Sequence, residues 1–540
     1  VTPTDAYGRI HHFLLPAAGW GATADSKEAR ELVPDRVAAV KKWRAQFKTK
    51  PTAKQIDQLV AIAAQVEELW TMALRRLMVA EQQSRREIPL WGRDVVEPGS
   101  TVTREQIEES LADPNGAYQR LKRVMDAWCA LWFWPLTGEE VRPPTWEDWI
   151  DACQMILGAE PKQNVRGKRW ATDATLSPAD VWESLADHES FALAGANAKP
   201  IDAVLADHPW LSVCDQVAAD QGFFHWELEF APVFATNGGF DLQVGNPPWV
   251  RPMQNLDALF AEADPWWQLV DKPSEELRDE RRIATLHILG LTPLVTAGVA
   301  EVGATSAFVG DATNFPVLEG LQPDLYRCFM SATWQHSSER GRIGLLHPDT
   351  HFTDEKAGHL RQATYPRLRR HWQFVNELQL FDEVHHLVIY GVHVYGTPAA
   401  IGFSQASTLY HPDTVSRSLA HSGEGPAPGF KHDGYWDLRP HGERIELVTT
   451  KTLALWRDIL EPELVNPLQT RMVYTVNRDV ATTIAQLAAG ERLGSLGLNF
   501  SAGWHEKNDR TKGYFIQRWG APDSWDDVIL QGPHLHGPQR

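Results

Sequence analysis

The sequence predicts an α/β chain in which a mainly helical region leads into a sheet and a mixed α+β region follows it. Three observations carry this. Apolar residues recur at three- and four-residue steps through the first two hundred or so positions, the spacing of helices with one buried face. From about residue 220, short apolar runs alternate with helical patterns, as in chains that build a parallel sheet. After Gly396-Thr397-Pro398 the alternation weakens. The boundaries read in this way are 1–215, 216–398 and 399–540.

Taken in order, residues 26–47 form a helical pattern interrupted by Pro34, and 53–86 a longer one. Arg75, Arg76, Arg85 and Arg86 gather near the end of the second, either as a solvated last turn favoured by the helix dipole or as a contact for nucleic acid. Residues 117–133 place Tyr118, Leu121, Val124, Met125, Trp128 and Leu131 on one face. Thr145 and Asp148 have the spacing of a capping box, and Ser177-Pro178 reads as N-cap and first turn. The 23 tryptophans at such spacings read as core rather than as stacking platforms.

Residues 240–244 form a short strand ending at Gly245, and 341–348 a buried one ending at His347-Pro348. Residues 355–370 read as a basic helix that Pro366 ends or kinks. Strands follow at 374–380 and 387–395, the second with strict alternation. Residues 422–429 read as a loop.

Bulk numbers bound the function. Hydrophobic residues make up 43% and charged residues 23%, an ordinary globular composition. No run of about 18 uncharged apolar residues stands out, so no membrane partner is expected. The four cysteines lack zinc or C-x-x-C spacing and read as reduced thiols of a cytoplasmic protein. A net charge of −18 argues against a surface that is basic throughout, though not against a local basic cleft. The start at Val1 and the end at Arg540, soon after a strand-like run at 527–530, read as those of a piece of a longer protein.

Gly245-Asn246-Pro247-Pro248-Trp249 directly follows a strand. Ligands of open α/β sheets bind beyond the carboxyl ends of strands. Two prolines fix the backbone there, remove two N–H donors and leave carbonyls free to accept. That suits an exocyclic amine, whose nitrogen is a poor nucleophile because its lone pair is delocalised into the ring. The Asn246 side-chain oxygen and the Pro247 carbonyl would hold the NH2 and draw it towards tetrahedral geometry, which is catalysis by position and electrostatics. Trp249 offers a plane for stacking on a base, and a duplex base reaches such a pocket only by flipping out.

These residues resemble the N6-adenine DNA methyltransferases, with their N/D-P-P-Y/F/W motif. Phe224-His225-Trp226-Glu227-Leu228-Glu229-Phe230, then Phe234 and Gly239-Phe240-Asp241, look like the large type IIG restriction–modification enzymes and equally like BREX- and DISARM-type phage-defence methylases. Asp324-Leu325-Tyr326-Arg327-Cys328-Phe329 and the strand at 341–348 follow the same order. The resemblance implies the C-terminal half of a Rossmann-like class I methyltransferase sheet, a helical insertion before it and the start of an α+β target-recognition domain after it. It implies S-adenosyl-L-methionine as cofactor, double-stranded DNA as partner, and other defence-system subunits as further partners. It gives Asn246, Pro247, Pro248 and Trp249 the catalytic role and makes Phe381 a second contact to the flipped base.

The family's glycine-rich cofactor turn has no counterpart here, which puts it outside this chain. Arg361, Arg367, Arg369, Arg370 and His371 form a basic cluster that is either a solvated face or a set of phosphate contacts. Pro348-Asp349 with Asp354-Glu355-Lys356 imitates a nuclease pattern at too short a spacing, and His534 and His536 lack partners for a metal. No metal is expected. Two other functions fit the motif less well. Protein-glutamine methyltransferases use N-P-P-Y and are small, and a non-catalytic specificity protein would not need an intact Asn-Pro-Pro.

Overall fold

The computed structural model describes residues 10–84, 91, 102–138, 141–158, 178–462, 464–490, 493–499, 505–514 and 524. Arg85, Arg86, Ser177, the run at 527–530, His534 and His536 lie outside them. The chain divides into two units, Val1–Thr483 and Ile484–Arg540. The second carries the helix Glu506–Thr511, capped by the His505 side chain. All that follows concerns the first.

The helical region is built around α1 (Ala53–Ser84), α2 (Ala117–Ala130), α3 (Trp146–Leu157), α4 (Pro178–Gly195) and α5 (Trp210–Gln221). The Thr145–Asp148 capping box is present, each side chain bonding to the other's backbone N–H. Tryptophans serve as core. Trp20, Trp132 and Trp149 are almost wholly buried, and the Trp20 and Trp149 indole N–H groups donate to Trp128 and Leu14 carbonyls at 3.0 and 2.8 Å. Truncating one of these rings to alanine costs about 3–5 kcal/mol. Arg76 is no solvated helix end: it is buried against Glu189 at 2.6 Å and bonds to Ser110.

The helical layer does not stop at 215. Its core continues through Phe260 and Trp267 to α6 (Leu291–Gly310), which buries Leu291, Val295, Val299, Ala300 and Ala304 in it. Among the described residues α6 is the one helix long and apolar enough to cross a bilayer, by length and composition alone. Glu301 interrupts its apolar run.

A six-stranded mixed sheet follows. Its strands are β1 (Phe240–Gly245), β2 (Ser337–Pro348), β3 (Leu368–Val375), β4 (Ile389–Tyr395), β5 (Gly402–Leu409) and β6 (Glu446–Thr449). The order is β1-β2-β4-β3-β5-β6. β1, β2, β3 and β5 run parallel to one another, with β4 and β6 antiparallel. Among the described residues β1 pairs only with β2 and stands at the edge of the sheet, and its Leu242 and Val244 are 68% and 78% exposed. Gly239 sets up its start at φ +144, where a Cβ would lie 2.5 Å from the His336 carbonyl oxygen. The helix α7 (Leu325–Gln335) leads into β2.

Three expectations change here. The basic helix at 355–370 is a short helix, Gly358–Thr364, after which the chain turns into β3. The strand read at 374–380 therefore begins at Leu368 and ends at Val375. Pro366 ends the helix, as expected, and Arg369 and Arg370 fall on the strand. Nor does the sheet end at 398. β5 and β6 extend it, and Phe403, Val448, Leu453 and Trp456 share one core with Tyr326, Ile343 and Leu345.

Candidate active site

The motif occupies the carboxyl end of β1. Gly245 pairs with Leu345, so Asn246 emerges beside the end of β2, where the sheet's parallel strands deliver their carboxyl termini. Asn246 is exposed, Pro247 is buried and Trp249 is half-buried. The Trp249 Nε1–H is shared between the Asn246 Oδ1 at 2.9 Å and the Leu346 carbonyl at 3.2 Å. The indole thus fixes the amide, and the second lone pair of the amide oxygen is left to accept another donor.

The exit of the motif is fastened too. Arg251 donates twice to Asp324 Oδ1 at 2.9 and 2.8 Å, and the Leu325 N–H donates to the Val250 carbonyl at 3.0 Å. Asp324 stands at the start of α7 and also meets Arg327 at 3.3 Å.

Phe381 comes to the same place. Its ring centroid is 5.5 Å from that of Trp249 and 5.1 Å, edge-on, from that of Tyr390. Tyr390 is in turn 5.5 Å from Trp249. These three rings join Trp372, Phe374 and Leu346 on one face of the sheet. Trp249 and Phe381 were the rings expected here; Tyr390 and Arg251 were not, and Asp324 was expected only as the start of a helix. Tyr390 carried a signal, as one member of the alternating set in the strand read at 387–395.

The arginine cluster lies elsewhere. Arg361 is buried and donates to the Gln469 and His351 carbonyls, both at 2.9 Å, so its donors are spent inside the fold. Arg367 and Arg369 bond to the carbonyls of Ala363, Pro366 and Leu368. With the exposed Arg370 they mark the amino end of β3, opposite the end that carries Asn246. The structure therefore does not join them to the motif as phosphate contacts. His371 is buried among His347, His351 and His393, with its Nδ1 3.0 Å from His393 Nδ1.

The residues of the nuclease-like pattern are also occupied. Asp349 is buried and accepts from Gln373 at 2.7 Å; burial raises its pKa. Asp354 meets Arg327 at 3.3 Å. Among the described residues no group of three or more histidine, cysteine or acidic side chains could hold a metal ion.

Among the described residues no glycine-rich turn follows a strand beside β1, and the outer edge of that strand is open. Asn246, Trp249, Phe381 and Tyr390 thus line one wall at the carboxyl end of β1.

Comparison with known proteins gives two results. Residues 172–267, which include the whole motif, match the family of the Eco57I restriction-modification methylase. A solved chain from work on complex assembly and conformational transition of the type I R-M system is similar at 10% identity, over 90% of this chain and 99% of that one, with a TM-score of 0.20. No curated protein matches the chain by sequence.

Proposed function

We propose that this chain supplies the acceptor-base site of a site-specific DNA adenine-N6 methyltransferase of a restriction–modification or phage-defence system. S-adenosylmethionine is the methyl donor of methylases of this kind, and its cradle would come from outside the described residues. The observation that carries the reading is the exposed Asn246 carboxamide at the carboxyl end of β1, locked by the Trp249 indole beside an aromatic wall, within the segment that matches a restriction–modification methylase.

The chain's own residues would act on the base alone. A flipped adenine would lie against Trp249 and Phe381, whose stacking offsets about 1–3 kcal/mol of the unpairing cost. The free lone pair of Asn246 Oδ1 and the Pro247 carbonyl would accept the two N6 protons. Bonding both protons localises the nitrogen lone pair and fixes its direction, so the residues act by position and not by covalent attack. Pro247 and Pro248 keep the acceptors in place because neither can rotate about φ. The sheet order β1-β2-β4-β3, with β4 antiparallel among parallel neighbours, supports the C-terminal half of a Rossmann-like methylase sheet.

The test supplies the full-length protein with methyl-labelled S-adenosylmethionine and two acceptors, duplex DNA and a glutamine-containing release-factor peptide. Label on DNA supports the reading. Label on the peptide alone assigns the motif to a protein amide, and label on neither returns it to a binding role.

A further inference from the structure

Phe381 is presented by the loop between β3 and β4, and that loop is mostly washed by solvent. Leu378, Gln379, Leu380, Asp382, Glu383, His385, His386 and Leu387 are all exposed. Exposed loops of this length ordinarily sample many conformations. At the neck of this one stands Asn376, with no exposed surface. Its Oδ1 accepts the Phe381 N–H at 3.1 Å, and its Nδ2 donates to the carbonyls of Phe381 and Val384 at 2.9 and 2.8 Å. Its own N–H donates to the Val388 carbonyl at 3.1 Å, and its carbonyl accepts from the Gln379 N–H at 2.7 Å. Gln379 turns the chain at φ +50. One buried carboxamide thus holds both backbone polar groups of the residue that carries the aromatic ring.

We propose that Asn376 is a positioning residue: its carboxamide sets the loop so that the Phe381 ring meets Trp249 and Tyr390 in the base site. The proposal rests on the assignment of Trp249 and Phe381 to the flipped base. No other side chain reproduces the pattern. Alanine removes all three bonds. Aspartate keeps the acceptor for the Phe381 N–H but turns a carboxylate towards two carbonyl oxygens; the Val384 carbonyl loses its Asn376 donor and the Phe381 carbonyl keeps only the Val384 N–H at 3.2 Å.

The test reads the ring's position and the reaction separately. Fluorophenylalanine is placed at position 381 of the full chain. In the wild type its fluorine spectrum shows one resonance, shifted by the neighbouring Trp249 and Tyr390 rings. In Asn376→Ala and Asn376→Asp that resonance returns to the position of a free loop, while far-ultraviolet circular dichroism is unchanged. A resonance unmoved in both variants overturns the proposal.

Methyl transfer to duplex DNA is then measured. Asn376→Ala lowers kcat by about ten- to a hundredfold, with the KM for DNA unchanged, and it adds no further loss in a Phe381→Ala background. Losses that multiply in the double variant show that Asn376 acts apart from Phe381 and overturn the proposal. A wild type that transfers no methyl group to DNA sinks the reading of the site instead, and the fluorine spectra still decide whether Asn376 sets the ring.

Discussion

Asn246 asks one oxygen to do two things. It accepts the Trp249 indole N–H at 2.9 Å and, in our reading, an adenine N6 proton. The two duties come apart under substitution. Trp249→Phe keeps a stacking plane but frees the amide to rotate, so methyl transfer falls while DNA binding holds. Trp249→Ala removes the plane as well, and the loss deepens by about 1–3 kcal/mol of stacking. Steady-state kinetics with the two variants checks this; an undiminished rate in Trp249→Phe would show that the indole N–H has no part, and equal losses in both that the plane adds nothing. At this scale the sequence was most legible where chemistry fixes residue type. The Asn-Pro-Pro-Trp run stood out by its residue types, whereas Phe381 was named only through the family resemblance; the structure brings the Trp249 and Phe381 rings to 5.5 Å. The parts of Asn376 and Arg251, and the tie from Asp324 to the motif, could not be read, because each works through backbone groups or a partner distant in sequence, 73 positions away in the case of Arg251 and Asp324.

The elements show what alternation reveals and what it hides. β4 was readable because apolar residues occupy both faces of a strand whose ends are marked by turns. β3 was not. Its inward positions include His371 and Gln373, both buried, and polar residues in a run with two arginines read as a solvated helix. A bulge at Arg369 further breaks its period, since Leu368 pairs with Tyr395 and Arg370 with Val394. At the start of β1, Gly239 is required for a different reason: at its positive φ a Cβ would lie 2.5–2.8 Å from the His336–Ser338 main chain. Gly239→Ala is expected to cost about 1–3 kcal/mol. Chemical denaturation measures it, and a change within ±0.5 kcal/mol would mean that the backbone yields more than this packing allows.

At the scale of the whole molecule, the sheet and the helical layer were legible as classes, but their limits were not. The helical core gathers residues from Phe13 to Ala304, and the sheet runs on to Thr449, because packing joins segments that composition keeps apart. The buried histidines on the other face of the sheet give the protein a built-in acid sensitivity. Burial holds His347 and His371 down to about 3, and it lowers His351 and His393 well below their ordinary value. In the unfolded chain each would titrate near 6.5. The unfolded state therefore binds more protons below that value, and stability is lost as pH falls from about 6.5 towards 3, by up to about 1.4 kcal/mol per pH unit for each histidine. Asp349, raised by burial, works in the opposite direction, as do Glu67, Asp215 and Glu446. The thermal midpoint should drop between pH 7 and pH 5, and a midpoint that holds or rises there would contradict the account. The claim on which the rest depends is that Asn246 prepares an adenine amine for methylation. Its most direct test is mass spectrometry of the nucleosides from DNA treated with S-adenosylmethionine and the full-length protein, wild type or Asn246→Ala. The account predicts N6-methyldeoxyadenosine with the wild type, reduced on the order of 10²–10³-fold or to nothing by the substitution. A methylated cytosine, or N6-methyldeoxyadenosine formed equally well by the variant, would contradict it.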